Sequence, residues 1–106
     1  MTLPRNLAAA TFLLAAAATP ALAQDAGAGH ALASRVCRSC HVVDAGQPKP
    51  RMITIGPAFV DIANTRGMTP TALYAFLQTP HAKMPNLILT PQEAADVIAY
   101  IRSLRQ

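Results

Sequence analysis

Five consecutive positions hold the densest chemistry in the chain: Cys37-Arg38-Ser39-Cys40-His41. Two thiols separated by two residues and followed at once by an imidazole form the attachment signature for covalently bound haem. The two-residue spacer lets the chain turn between the sulfurs, so that both can add across the vinyl groups of one porphyrin. The same turn carries His41 beneath the ring, where one of its nitrogens can bind iron. Three other uses of a Cys-x-x-Cys pair compete with this reading: a thioredoxin-like redox couple, half of a zinc site and a structural disulfide. The chain has only two cysteines and three histidines, so a zinc site would have to complete itself from His30, His41 and His81. A thioredoxin-like site needs a strand feeding the motif and a βαβ pattern, and the sequence shows no such pattern. The adjoining His41 favours haem.

The elements that must position these residues follow from the rest of the 106-residue chain, which is long enough for one domain. Residues 1–23 read as a secretory signal peptide. Arg5 supplies the positive start, Leu7 to Ala18 the apolar core, and Ala21-Leu22-Ala23 a small-residue cleavage site before Gln24. The apolar core is shorter than the roughly 20 residues a membrane-spanning helix needs. Export supports the haem reading, because bacterial haem attachment to Cys-x-x-Cys-His takes place outside the cytoplasmic membrane. The expected location is therefore the periplasm, with the leader removed after Ala23. Net charge is +4, falling to +3 without Arg5 and before haem propionates are counted. The basic residues are scattered, and no run of them resembles a nucleic-acid patch. A mature domain this small is marginal without a metal, disulfides or a cofactor, and a central haem would serve as its core.

Residues 24–28 are rich in Ala and Gly and read as a flexible N-terminus. From His30 the pattern turns helical and leads into Cys37, with His30 itself an exposed residue at the helix start. Gly29 is either a small surface for another helix or a flexible lead-in. Residues 44–58 form a loop punctuated by Gly46, Pro48, Pro50, Gly56 and Pro57. Pro57 leaves a rigid backbone whose carbonyl can accept a hydrogen bond, the kind of partner that fixes the tautomer of a ligating histidine. Residues 58–65 form a short helical turn at most. Thr69-Pro70 then starts a helix with a Thr cap and Pro at its first position, and Leu73, Phe76 and Leu77 share one face. Pro80 ends it. Met84 precedes Pro85, which keeps it out of helical geometry and suits a thioether pointed at iron from the far side. The last helix opens on the capping box Thr90-Pro91-Gln92-Glu93 and carries Ala94, Val97, Ile98, Ile101 and Leu104 as an apolar stripe, with Tyr100 beside it.

Taken in order, these features resemble a class I cytochrome c of the small, single-haem bacterial kind, over roughly residues 29–104. The resemblance rests on Gly29 ahead of a helix, the 37–41 motif, Gly56-Pro57, a helix at 69–78, Met84-Pro85 and a last helix with Tyr100. It implies an all-α cytochrome c fold, with three main helices and loops wrapped around one covalently attached haem c, as a domain over 29–106. It further implies thioethers at Cys37 and Cys40, His41 as proximal ligand, the Pro57 carbonyl as acceptor from that imidazole, and Met84 as distal ligand. The first and last helices would meet with Gly29 or Leu32 against Tyr100. The loop between His41 and Gly56 departs from compact members in its length and its Pro48-Lys49-Pro50-Arg51 run. Met52, Met68 and His81 are the rival distal ligands: Met52 lies in the loop on the proximal side, Met68 packs locally before its helix, and His81 lies three residues from Met84.

Six-coordinate iron with His and Met ligands implies a single-electron carrier rather than an enzyme, with redox proteins as partners (a dehydrogenase, an oxidase or a cytochrome complex), no nucleic acid and no small-molecule substrate, in a chain that is a monomer. Two alternatives stay open at this level: a thiol–disulfide oxidoreductase using Cys37 and Cys40, and a haem protein with open iron acting as a gas sensor or peroxidase.

Overall fold

The computed structural model describes Met1, residues 23–50 and residues 56–106. The expected leader, apart from its two ends, and the rival ligand Met52 lie outside the described residues. The described residues are all-α, with four helices in the order α1 (Ala26–Val36), α2 (Phe59–Asn64), α3 (Pro70–Gln78) and α4 (Pro91–Ser103). No helix among them is long and apolar enough to cross a membrane.

α1 starts at Ala26, four residues earlier than the sequence pattern places it. The cause is Asp25, whose carboxylate accepts from the Ala28 N–H at 3.0 Å and caps the helix. Asp25 is itself held, because its own N–H donates to Asp96 Oδ1 on α4 at 3.0 Å. Asp96 is the buried acidic residue of the core; Gln92 Nε2 also donates to it, at 2.7 Å, and bonds the Ala23 carbonyl as well. A tertiary bond to a distant carboxylate thus orders an Ala/Gly-rich stretch that local propensity would leave to fray.

α1 packs on α4 as the main helix–helix contact of the fold, and α2 and α3 also rest against α4. Gly29 is buried at that crossing, and a Cβ there would fall 1.9 Å from the Asp96 carbonyl oxygen and 2.9 Å from the Val97 nitrogen. Its role is close helix approach, and its partner is the backbone of Asp96 and Val97 rather than Tyr100. It is His30, one residue on, that meets Tyr100, with ring centroids 4.8 Å apart.

α4 begins as its sequence signals require. Thr90 and Glu93 cap each other's backbone N–H groups, with Pro91 at the first position. Its buried face comprises Ala94, Asp96, Val97, Ile98, Tyr100 and Ile101, while Leu104 is partly buried against the core. α3 opens on the Thr69 side chain, which accepts from Ala72 N at 3.1 Å. It closes at Thr79, held extended ahead of Pro80. Residues 59–64 complete a six-residue helix rather than an isolated turn. The buried core is one cluster, in which Leu32 and Ala33 of α1, Phe59 and Ala63 of α2, Leu73 of α3 and Val97, Ile98 and Ile101 of α4 meet Val43.

Gly29→Ala tests the crossing. The methyl cannot fit without parting α1 from α4, and overpacking of this kind costs about 1–3 kcal/mol. The expected outcome is a fall of that size or more in the unfolding free energy of the holoprotein, measured by denaturant titration.

Candidate functional site

The 37–41 motif continues the winding of α1. Cys37 N and Arg38 N both bond the Ala33 carbonyl, at 2.8 and 3.1 Å, and Cys40 N and His41 N both return to the Cys37 carbonyl, at 3.1 and 2.9 Å. This tight turn brings both sulfurs and the imidazole to the wall of one cavity of about 480 Å³, within the range of cofactor pockets.

The His41 ring is fixed on two sides. Its Nδ1–H donates to the Pro57 carbonyl at 2.7 Å, which leaves Nε2 with its lone pair as the free coordinating atom. Gly56 sits against the ring, and a Cβ there would fall 2.2 Å from His41 Cε1. Gly56 N donates to the Cys40 carbonyl at 2.8 Å, tying the Gly56-Pro57 segment to the motif. Phe59, buried at the start of α2, lies 5.4 Å from the imidazole, centroid to centroid.

Leu73, Phe76 and Leu77 of α3 and Val97 and Ile101 of α4 contribute apolar wall, and Met84 lines the same space. Met68 also reaches this wall, and it packs against the core cluster rather than merely beside its own helix. His81 lines the cavity too, with its ring stacked on Phe76 at 3.7 Å and 16° and its Nε2 on the Phe76 carbonyl at 3.2 Å. The cavity therefore gathers Cys37, Cys40 and His41 from one stretch of chain and Met84 from another, with Pro57 of a third bonded to the imidazole.

Burial pushes the Cys37 thiol above its ordinary range. A dithiol oxidoreductase needs the opposite, a thiolate stabilised by positive surroundings.

The donor set fits a tethered porphyrin: two thiols on one turn, an imidazole in a fixed tautomer, and a thioether and hydrocarbon walls lining the same cavity. Comparison with known proteins agrees. Residues 24–101 match the model of the family described as cytochrome c oxidase, cbb3-type, subunit III. Cytochrome c-552 of Bradyrhizobium diazoefficiens is 44% identical over 92 residues, covering 87% of this chain and 86% of that protein. The chain is a small class I c-type cytochrome. No solved structure matches it. Membership brings covalently bound haem c and its iron, a role in electron transfer, and redox proteins as partners.

Two features of the cytochrome carry no local sequence signal. Gln47 closes the turn after the motif. Its Oε1 accepts from Val43 N and Asp44 N at 2.9 and 3.3 Å, and its Nε2 donates to the His41 carbonyl at 3.0 Å. Beyond it, Asp44 joins three elements. His30 Nε2 lies 2.7 Å from Oδ1, Arg38 donates to Oδ2 at 3.3 Å, and the Tyr100 hydroxyl donates to Oδ1 at 3.2 Å and to the Val43 carbonyl at 2.9 Å. His30 is thus a bridge in the second turn of α1 rather than a helix-start residue, with its side chain still partly exposed. The hydrogen bond with His30 is the largest influence holding the Asp44 carboxyl below its ordinary range, with Tyr100 and the Arg38 charge adding to it against a desolvation cost. Burial, then the Asp44 charge, pushes the Tyr100 phenol upward.

Two outcomes follow. Gly56→Ala drives a methyl into the imidazole, an overpacking of about 1–3 kcal/mol; absorption spectra and purified yield are expected to show less holoprotein with a disturbed axial environment. For Asp44, a carboxyl held low in the fold stabilises it at pH values above the ordinary carboxylate range, and that stability is lost as pH falls through the lowered value. Asp44→Asn is therefore expected to flatten the acid limb of the denaturation midpoint below about pH 4, with the wild type losing more stability there than the variant.

Proposed function

We propose that this cytochrome is a periplasmic single-electron carrier whose one haem is tethered through Cys37 and Cys40 and ligated by His41 and Met84. The observation that carries this reading is the cavity itself, to which all four side chains contribute while the His41 tautomer is held by the Pro57 carbonyl. When bound, the haem iron supplies reversible one-electron chemistry. The protein's part is to hold both axial positions unchanged through that exchange. Pro57 and Gly56 keep the imidazole in one orientation, and Pro85 stiffens the backbone at Met84. The walls from α3 and α4 keep water from the ring, and a Met ligand raises the potential relative to a second imidazole.

Met84 is favoured over its rivals by what surrounds them. His81 is already engaged with Phe76 through stacking and a hydrogen bond. Met68 is committed to the core cluster. With both axial positions filled, the chain has no substrate of its own and is not an enzyme. The raised Cys37 thiol and the single cavity shared by the motif and Met84 both speak against a thiol–disulfide oxidoreductase. The signal-peptide pattern, cleaved after Ala23, supports periplasmic export. Brief docking through a small interface suits a monomeric carrier, and the family's oxidase description supports an oxidase among its partners, beside a dehydrogenase or another cytochrome complex.

Met84→Ala tests the distal ligand. Loss of the thioether is expected to lower the midpoint potential by something of the order of 0.1 V or more, axial ligands setting potentials over roughly 0.8 V, together with a change in the ferric spectrum. Optical potentiometry on wild type and variant measures both, and an unaltered potential and spectrum would overturn the assignment. Intact mass of the exported holoprotein checks the tether: it is expected to show one added tetrapyrrole.

A further inference from the structure

The segment that carries Met84 has little backbone structure of its own. Between Pro80 and Leu89, the backbone–backbone hydrogen bond among the described residues is a short one from Leu89 N to Leu87 O at 3.2 Å. Downstream, the segment is secured where Leu89 packs against the core cluster. Upstream, Pro80 ends α3 and the chain doubles back, so that the His81 ring lies flat on Phe76 at 3.7 Å and 16° while His81 Nε2–H donates to the Phe76 carbonyl at 3.2 Å. Met84 follows three residues later, with Pro85 restricting its backbone. The segment carrying Met84 is thus anchored upstream by a stacked ring and downstream by a packed leucine.

We propose that His81 is a positioning residue. Its ring, stacked on Phe76, pins the upstream end of the Met84 segment and so limits how often Met84 leaves the iron. This rests on the proposed ligation by Met84. It gives His81 the reverse of the role its chemistry first offers: the imidazole is occupied in holding the other ligand in place.

The test uses ferric holoprotein and imidazole as an exogenous ligand. Imidazole can bind only when Met84 is off, so its apparent affinity reports the fraction of open protein. An aromatic pair of this kind corresponds to a roughly two- to tenfold change in such an equilibrium. His81→Ala and Phe76→Leu are each expected to raise the apparent imidazole affinity roughly two- to tenfold, and the double variant no further than the larger single, as a shared contact requires. His81→Phe keeps the stacked ring and is expected to stay near wild type. Asn64→Ala, which loses the hydrogen bonds from Gln106 N and to the Val60 carbonyl and removes no residue of the cavity lining, is expected to lower the denaturation midpoint while leaving imidazole affinity alone. Wild-type affinity in His81→Ala, additive effects in the double variant, or a His81→Phe protein that behaves like His81→Ala would each overturn the pin. If Met84→Ala leaves spectrum and imidazole affinity unchanged, the ligation reading falls and the pin with it; if Met84→Ala changes both while His81→Ala changes neither, only the pin falls.

Discussion

One hydrogen bond organises the site: His41 Nδ1 donating to the Pro57 carbonyl at 2.7 Å. It chooses the tautomer, and so decides which ring nitrogen keeps its lone pair. It holds only because residue 56 has no side chain, since a Cβ there would overlap the imidazole. The motif and the Gly56-Pro57 segment are joined a second time through Gly56 N and the Cys40 carbonyl. The imidazole is therefore held by backbone on a rigid proline-containing segment, and does not depend on the packing of a flexible side chain. With His41 as the proposed ligand, that is the preorganisation a redox site needs if the imidazole is to stay still while the charge of the cofactor changes.

The remainder of the fold keeps that segment against α1 and α4. Gln47 gathers the backbone just after the motif, and Phe59 N closes onto the Val42 carbonyl at 2.9 Å. Asp44 and Tyr100 then fasten the same stretch to His30 on α1 and to α4. At the other end of the crossing, Asp96 holds the residue that caps α1. Two polar fastenings thus flank the close contact at Gly29. Each buried polar group in them is paired, consistent with the absence of unsatisfied buried side-chain atoms among the described residues. In so small a domain, with the cofactor cavity occupying the middle, these fastenings do work that a larger hydrocarbon core would otherwise do.

The two sides of the cavity are built differently. The wall at His41 is backbone-bonded and tied to the motif. The wall at Met84 is a segment with few internal bonds, flanked by the His81–Phe76 stack and by Leu89 in the core cluster. The geometry of the Met84 side therefore depends more on packing. In the same region Phe76 is about half exposed and Ile88 almost fully so, at 48% and 95%.

What could be read from the sequence was whatever local chemistry dictates. The Cys37–His41 spacing, the Thr90 capping box, Thr69-Pro70 and the apolar faces of α3 and α4 each depend on residues within one or two turns of each other, and each leaves a pattern. Gly56-Pro57 was legible as a rigid acceptor, although only the fold brings its carbonyl to His41. The early start of α1 had a local signal in the Asp25 cap, three residues from the N–H it accepts, but the hold of Asp96 on Asp25, the burial of Asp96, the partner of Gly29 and the bridge from His30 through Asp44 to Tyr100 were not legible. Those bonds join residues 14 to 71 positions apart, and a lone Asp or His carries no mark of the distant group it will meet. The sequence alone determined the chemistry of the motif and where helices begin by their own caps. The tertiary structure decided which backbone a glycine touches, which carboxylate is buried and how the imidazole is turned, because those depend on long-range contacts that exist only once the chain has closed around its cavity.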